Sequence, residues 1–264
     1  MTFVNNVSQA IQTTWGNRCS TLLFFIGKTR ESDNPRQVEK ALRRKLDSNS
    51  ELVTLPVLEN FDAVWIKMHF MVEYLRDNYL SEFDWLLIAD DDCYVIMENL
   101  LLFLRNHKPE EPANFGLRLY VEPSASQTIS NFNFRKMLKQ WSHCRNHTIR
   151  GHAADVLLGW CLQNVKIRPY QTLDNDKHLY SKFGPLQTIE MKYPQRSYLR
   201  RYGYLWKPRH FDNTKKYVCC SDDFIGYHYV TPGEIRMIEF LVYGAHPFTS
   251  LTDWRFDSDP LLNV

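Results

Sequence analysis

Three carboxylates in a row, Asp90, Asp91 and Asp92, follow directly on the apolar run 84–89 (DWLLIA), which predicts a buried strand. Open α/β sheets place their ligands at the carboxyl ends of strands, and the triplet stands at such an end. On an extended backbone Asp90 and Asp92, at i and i+2, project to the same side. Two carboxylates so placed could hold a hard divalent cation through oxygen. Such a cation could bridge to a diphosphate and neutralise the charge that builds on it as it departs. The same residues also fit a solvated acidic turn or the acid-rich first turn of a helix, and spacing does not choose between them.

A second feature lies far along the chain, where Cys219-Cys220-Ser221-Asp222 precedes Tyr227-His228-Tyr229-Val230. A single histidine among aromatics suits a packed core position. If it faces the acidic triplet, however, it becomes a third metal ligand, because neutral imidazole binds metals readily. Sequence alone leaves both open.

These groups need a scaffold. Residues 7–15 suit a helix, 21–26 (TLLFFI) a short buried strand, 28–50 a polar loop with a small helix, and 52–58 another strand. Over 61–79, apolar and aromatic residues recur at helical spacing, through Trp65, Met68, Val72, Leu75 and Tyr79. After the acidic triplet a helix is expected over 98–106, closed by the loop KPEEP. Strands alternating with helices at this spacing argue for a parallel, doubly wound sheet. In the second half, 135–141 and 153–162 read as helices, and 166–226, rich in Tyr, Pro and Arg, as mostly loop. Thr231-Pro232-Gly233-Glu234 is a helix start: Thr231 can cap, Pro232 fits the first helical position, and Glu234 can reach back as capping-box partner. The apolar run after it, to about Tyr243, predicts a core helix. No internal repeat and no low-complexity segment is present.

Composition narrows the function classes. A chain of 264 residues, 44% apolar, fits one sizeable domain spanning 1–264. A net charge of +2, with basic residues spread along the chain, argues against nucleic acid as a partner. Aromatics at 14% suit either a large core or a site that stacks on sugars or a nucleobase. The six cysteines form no CxxC pair and no zinc spacing, while their even number permits disulfides. Sequons at Asn6 and Asn146 would matter only in a secretory compartment. The first residues have neither the basic nor the apolar region of a signal peptide, and no run approaches the ~18 apolar residues of a membrane span. Either the protein is cytosolic or the chain starts downstream of its targeting segment. The absence of GxGxxG and P-loop sequences counts against an ordinary Rossmann nucleotide module.

The run DWLLIADDDCYVIMENL resembles the DDDTYV segment of the core 1 β1,3-galactosyltransferases, in glycosyltransferase family thirty-one. Four further segments are similar to the same family: Thr14-Trp15-Gly16-Asn17-Arg18-Cys19, the helix carrying Trp65 and Lys67, KPEEP with Phe115-Gly116, and CCSD followed by YHYV. Their order and approximate spacing match, and the resemblance covers nearly the whole chain. It implies a GT-A-like (Rossmann-like) α/β fold, with a mostly parallel sheet flanked by helices and an irregular C-terminal part. It further implies an inverting transfer of galactose from UDP-galactose to the 3-hydroxyl of GalNAc on serine or threonine of glycoproteins. Asp90, Asp92 and His228 would then bind manganese. Lys67, Asp90, Asp91, Arg118 and Tyr229 would face the donor, and Trp206 the acceptor sugar. Asp155, in HAADVLLGWC, falls on the second acid of the family's acidic pair and is the candidate general base, although it equally suits a helix cap. The resemblance also implies a type II protein of the Golgi membrane or secretory lumen, and allows a homodimer.

Departures from the family pattern bear on activity. The family's first strand, its membrane anchor and a glycine-rich stretch have no counterpart here; the shorter SASQTISNFNF stands in place of the last. Ala154 replaces the first acid of the pair, and Cys93 replaces the usual Thr after the triplet. A catalytically impaired paralogue that binds nucleotide or partners without turnover is therefore the alternative reading. Cys19, Cys144, Cys161, Cys219 and Cys220 lie at or near family cysteines, so Cys93 is expected to be reduced. The other five are expected to supply the disulfides and leave one more thiol unpaired. Adjacent Cys219 and Cys220 are not expected to pair with each other.

Overall fold

The computed structural model describes residues 2–28, 35–60, 63–111, 154–167 and 223–245, with short pieces between them at 114–115, 119–121, 125–127, 131–132, 141, 170 and 207–208. The mixed α/β class is what it shows: a small parallel sheet flanked by helices.

The chain opens with α1 (Thr2–Gln12), which buries Val7, Ala10 and Ile11 at i, i+3 and i+4. A 3₁₀ turn, Trp15–Arg18, carries it into β1 (Leu22–Lys28). After α2 (Pro35–Arg43), strand β2 (Ser50–Leu58) pairs parallel with β1, from Leu22↔Ser50 to Lys28↔Leu58. A parallel pair needs a crossover, and α2 supplies it. Side chains alternate along β1: Leu22 and Phe24 pack on one core, Leu23 and Phe25 on another. The strand separates two apolar clusters and is half-buried on both faces, rather than fully buried as expected.

Behind the parallel pair runs α3 (Val64–Tyr79), which buries Trp65, Val72 and Leu75 against Leu158, Cys161 and Leu162 of α5 (Ala154–Asn164). The first cluster gathers α1, β4 (Cys93–Val95), α4 (Met97–Leu104), β10 (Gly226–His228) and α6 (Pro232–Glu239). The remaining ladders are short and antiparallel. β3 (Leu86–Leu87) and β5 (Asn114–Phe115) flank β8 (Asn131–Phe132), and β6 (Leu119–Val121) lies between β7 (Ala125–Gln127) and β9 (Lys207–Pro208). The strand expected over 84–89 is cut to Leu86–Leu87, the two residues that pair with Phe132 and Asn131 of β8.

At the end of the described chain the capping box forms as its residues dictate. Thr231 Oγ1 accepts from the Glu234 N–H, and Glu234 Oε2 accepts from the Thr231 N–H at 2.7 Å. The apolar run stays helical to Tyr243, but not α-helical or buried throughout. The α-helix ends at Glu239 and widens into a π turn, Phe240–Gly244, that exposes Phe240, Leu241 and Val242. The residues expected to be helical over 135–140, nearly all of those read as loop over 166–226, and Cys144, Cys219 and Cys220 lie outside the described residues. No described helix is long and apolar enough to cross a membrane.

Candidate metal and donor site

The acidic triplet does not continue a strand. The Cys93 N–H donates to the Asp90 carbonyl at 3.2 Å, closing a turn over Asp91 and Asp92. Only then does β4 begin, with Cys93, Tyr94 and Val95 all buried. Its partner is β10, antiparallel, in the register Cys93↔His228, Tyr94↔Tyr227 and Val95↔Gly226. The ladder is clamped at both ends. Val230 N–H donates to the Asp92 carbonyl at 3.0 Å, and Ile96 N–H to the Ile225 carbonyl at 2.7 Å.

This pairing brings His228 onto the triplet. Its Nε2 lies 3.0 Å from Asp92 Oδ1 and 3.5 Å from Asp90 Oδ2. The His228 side chain is 12% exposed, whereas Asp92 is 40% and Asp90 78% exposed, so the cluster is closed on one side and open to solvent on the other. Asp90 and Asp92 converge here through the turn, not through the extended backbone that the sequence suggested.

Two observations test whether this set suits a cation. Asp92 Oδ1 is buried with no partner other than the His228 Nε2 it faces at 3.0 Å, and the Nδ1 on the other side of that ring is buried and unpaired. Such an atom keeps capacity for a further partner, which water or an ion can supply. The donor set is mixed as well: ligand atoms of Asp92, Cys93 and His228 lie within 4.8 Å of one another. Carboxylate oxygen and imidazole nitrogen together suit a divalent cation.

The local field points the same way. Desolvation pushes the His228 imidazole down, but the Asp90 and Asp92 carboxylates beside it prevail and hold it at about 9. Burial pushes the Cys93 thiol well up, with Asp90 and Asp92 adding to it. Desolvation also raises the Asp91 carboxyl, helped by the Asp92 and Asp90 charges and opposed by Lys67. The negative charge of Asp90 and Asp92, which raises all three groups, is what favours a cation here; the burial that leads at Cys93 and Asp91 is not.

Lys67 is held at the carboxyl end of the parallel pair. Its ammonium donates to both Glu59 oxygens, at 2.7 and 2.9 Å, and Glu59 also accepts from the Gly27 N–H. Gly27 is required for this approach, since a Cβ there would stand 2.8 Å from both the Glu59 nitrogen and the Val57 carbonyl oxygen. Tyr229 follows β10 with φ 61, an unusual conformation for a bulky residue. Its ring stacks on His228, with centroids 3.9 Å apart and planes at 11°.

A support layer invisible in the sequence lies behind the ladder. Trp15 Nε1 donates to the Cys93 carbonyl at 3.0 Å. Arg18 grips Glu239 with two hydrogen bonds of 2.6 and 3.2 Å, and the Tyr94 hydroxyl donates to the same carboxylate at 2.8 Å. Arg18 also pairs with Glu98 and stacks over Tyr243. The TWGNRC segment therefore braces the site strand.

Asp155 lies in the first turn of α5, and its side chain is outside the described residues, as are Arg118 and Trp206. Cys19 and Cys93 carry free thiols.

Comparison with known proteins identifies relatives. The galactosyltransferase family model matches residues 7–143. The chain is 24% identical over 243 residues to glycoprotein-N-acetylgalactosamine 3-beta-galactosyltransferase 1 of Xenopus laevis, covering 88% of this chain and 61% of that protein. It is 31% identical over 161 residues to chondroitin sulfate synthase 3 of Homo sapiens, covering 52% of this chain and 18% of that protein. To lactosylceramide 1,3-N-acetyl-beta-D-glucosaminyltransferase A of Danio rerio it is 23% identical over 151 residues, covering 53% and 40%. The chain spans about three fifths of the length of the first of these relatives and less of the other two.

Proposed function

Because the chain belongs to the galactosyltransferase family, we propose that it is an inverting, metal-dependent transferase that moves galactose from UDP-galactose to the 3-hydroxyl of GalNAc on glycoproteins. The observation that carries this reading is the convergence of Asp90, Asp92 and His228 across the β4–β10 ladder. The relative that covers most of this chain supports the choice of acceptor, since its name specifies a glycoprotein N-acetylgalactosamine and a 3-beta-galactosyl product.

Asp90, Asp92 and His228 would hold manganese, which when bound supplies positive charge for the diphosphate of the donor. Lys67 adds a second positive charge beside Asp91, and Arg118 is assigned to the same donor wall. Tyr229, whose strained backbone presents its ring next to His228, offers an aromatic face to the nucleotide sugar. Trp206 is assigned to the acceptor sugar. Asp155 takes the proton from the acceptor hydroxyl as that oxygen attacks C1 of galactose from the face opposite the diphosphate. A single carboxylate suffices for this, since inversion needs one base and no covalent intermediate. The reading carries with it a Golgi or secretory-lumen location, with a homodimer as its assembly.

Ala154 favours a second reading, a binder of nucleotide or partners without turnover, because it leaves Asp155 without the paired acid of the family. One experiment separates the two. Purified protein is incubated with UDP-galactose, Mn²⁺ and a GalNAc-peptide, and UDP affinity is measured by calorimetry with and without Mn²⁺. Galactosylated peptide with Mn²⁺-dependent UDP binding supports the transferase. UDP binding without product supports the second reading, and neither signal overturns both.

A further inference from the structure

A buried cysteine ordinarily serves as a small apolar filler, and three features set Cys93 apart from that role. It stands directly opposite His228 in the antiparallel ladder, and residues so paired project to the same face of the sheet. Its Sγ is a free thiol within 4.8 Å of ligand atoms of both Asp92 and His228. Asp92 Oδ1 faces His228 Nε2 at 3.0 Å, which sets a carboxylate oxygen and an imidazole nitrogen side by side next to that sulfur.

We propose that Cys93 is a direct ligand of the cation held by Asp92 and His228, and that its sulfur shifts the site's preference towards thiophilic divalent cations such as cobalt and zinc. The inference rests on the metal reading given above and goes beyond it in naming the donor and the selectivity. Oxygen and nitrogen ligands alone suit manganese and magnesium as well as softer ions, whereas a thiolate rewards the softer ions specifically. On binding, the thiol proton leaves to solvent and sulfur coordinates as thiolate, so no oxidant or reductant is involved. Cys93 is 3% exposed, and the ligand would therefore sit on the closed side of the cluster, leaving the solvent-facing side by Asp90 for a diphosphate.

The test uses the whole chain in a phosphine-reduced buffer, titrated with Co²⁺ and separately with Mn²⁺. Visible d–d bands report cobalt in a protein site, and a near-ultraviolet sulfur-to-cobalt charge-transfer band reports thiolate ligation. The wild type should show both. Cys93→Ser and Cys93→Thr should lose the charge-transfer band, while Cys19→Ser keeps it. Losing an outer partner of a metal ligand already costs 10–100-fold, so both Cys93 variants should bind Co²⁺ at least about tenfold more weakly. Their Mn²⁺ affinity, read from the free-ion paramagnetic resonance signal, should stay within about threefold. If the variants do not fold, the ¹¹³Cd resonance of the cadmium-loaded wild type reports sulfur ligation by its downfield position. Cobalt bound without charge transfer, Mn²⁺ bound without cobalt, or a band that survives in the Cys93 variants overturns the inference and leaves the metal reading intact. No cation bound at all overturns both.

Discussion

His228 and Asp155 carry different parts of the proposed reaction, and single substitutions should separate them. His228→Gln removes the imidazole whose Nε2 lies 3.0 Å from Asp92. It is expected to weaken Mn²⁺-dependent UDP binding at least about tenfold and leave the metal-independent component unchanged, as calorimetry would show. Asp155→Asn should do the reverse. Loss of a general base costs ~10²–10⁴-fold in rate, while Mn²⁺-dependent UDP affinity should remain close to wild type. Equal turnover of wild type and Asp155→Asn on a GalNAc-peptide would reduce Asp155 to an acidic residue in the first turn of α5. The convergence of Asp90 and Asp92 was suggested by their i, i+2 spacing, but the structure achieves it through the Asp90–Cys93 turn. Spacing shows that two carboxylates are close in sequence. It does not show which backbone carries them, because that depends on where β10 ends the strand.

Elements built by local rules were legible, and elements built by distant pairing were not. The helix start at Thr231 needs only four consecutive residues, and its capping box forms as they dictate. Thr231→Ala removes an N-cap worth about 1 kcal/mol. The expected result is a matching fall in stability by urea unfolding, with faster amide exchange in the first turn of α6. By contrast, the strand expected over 84–89 pairs with β8, which lies more than forty residues downstream and which no local signal announces. Gly27 is a second such case: a glycine inside an apolar strand gives no sign of what it approaches. Gly27→Ala would push a methyl against backbone atoms at 2.8 Å. Overpacking of this kind typically costs about 1–3 kcal/mol. Because Glu59 holds Lys67, the variant should also raise the KM for UDP-galactose, a shift that steady-state kinetics would detect and a purely local strain would not produce.

At the scale of the whole molecule, the family-matched stretch 7–143 contains the acidic triplet and Lys67 but not His228, Ile225, Val230, Ile235 or Ile238, all of which belong to the site strand or to its core. A chain ending at residue 222 is therefore expected to lose Mn²⁺-dependent UDP binding and to bind a hydrophobic dye, even though every residue of that stretch is present. Retention of nucleotide affinity by the truncated chain would show that the triplet works without its partner strand. The clamp between Asp92 and Val230 has a further consequence in time. Closing so long a loop carries an entropy cost that grows with the logarithm of its length, and contacts of such sequence separation form late and slowly. During synthesis the carboxylates emerge long before the histidine, so the nascent chain holds an incomplete site until its C-terminal segment arrives. A cation that binds only the closed form then adds RT ln(1 + [L]/Kd) to its stability, so the concentration of free divalent metal in the compartment where the chain folds sets what fraction of chains keeps the ladder shut.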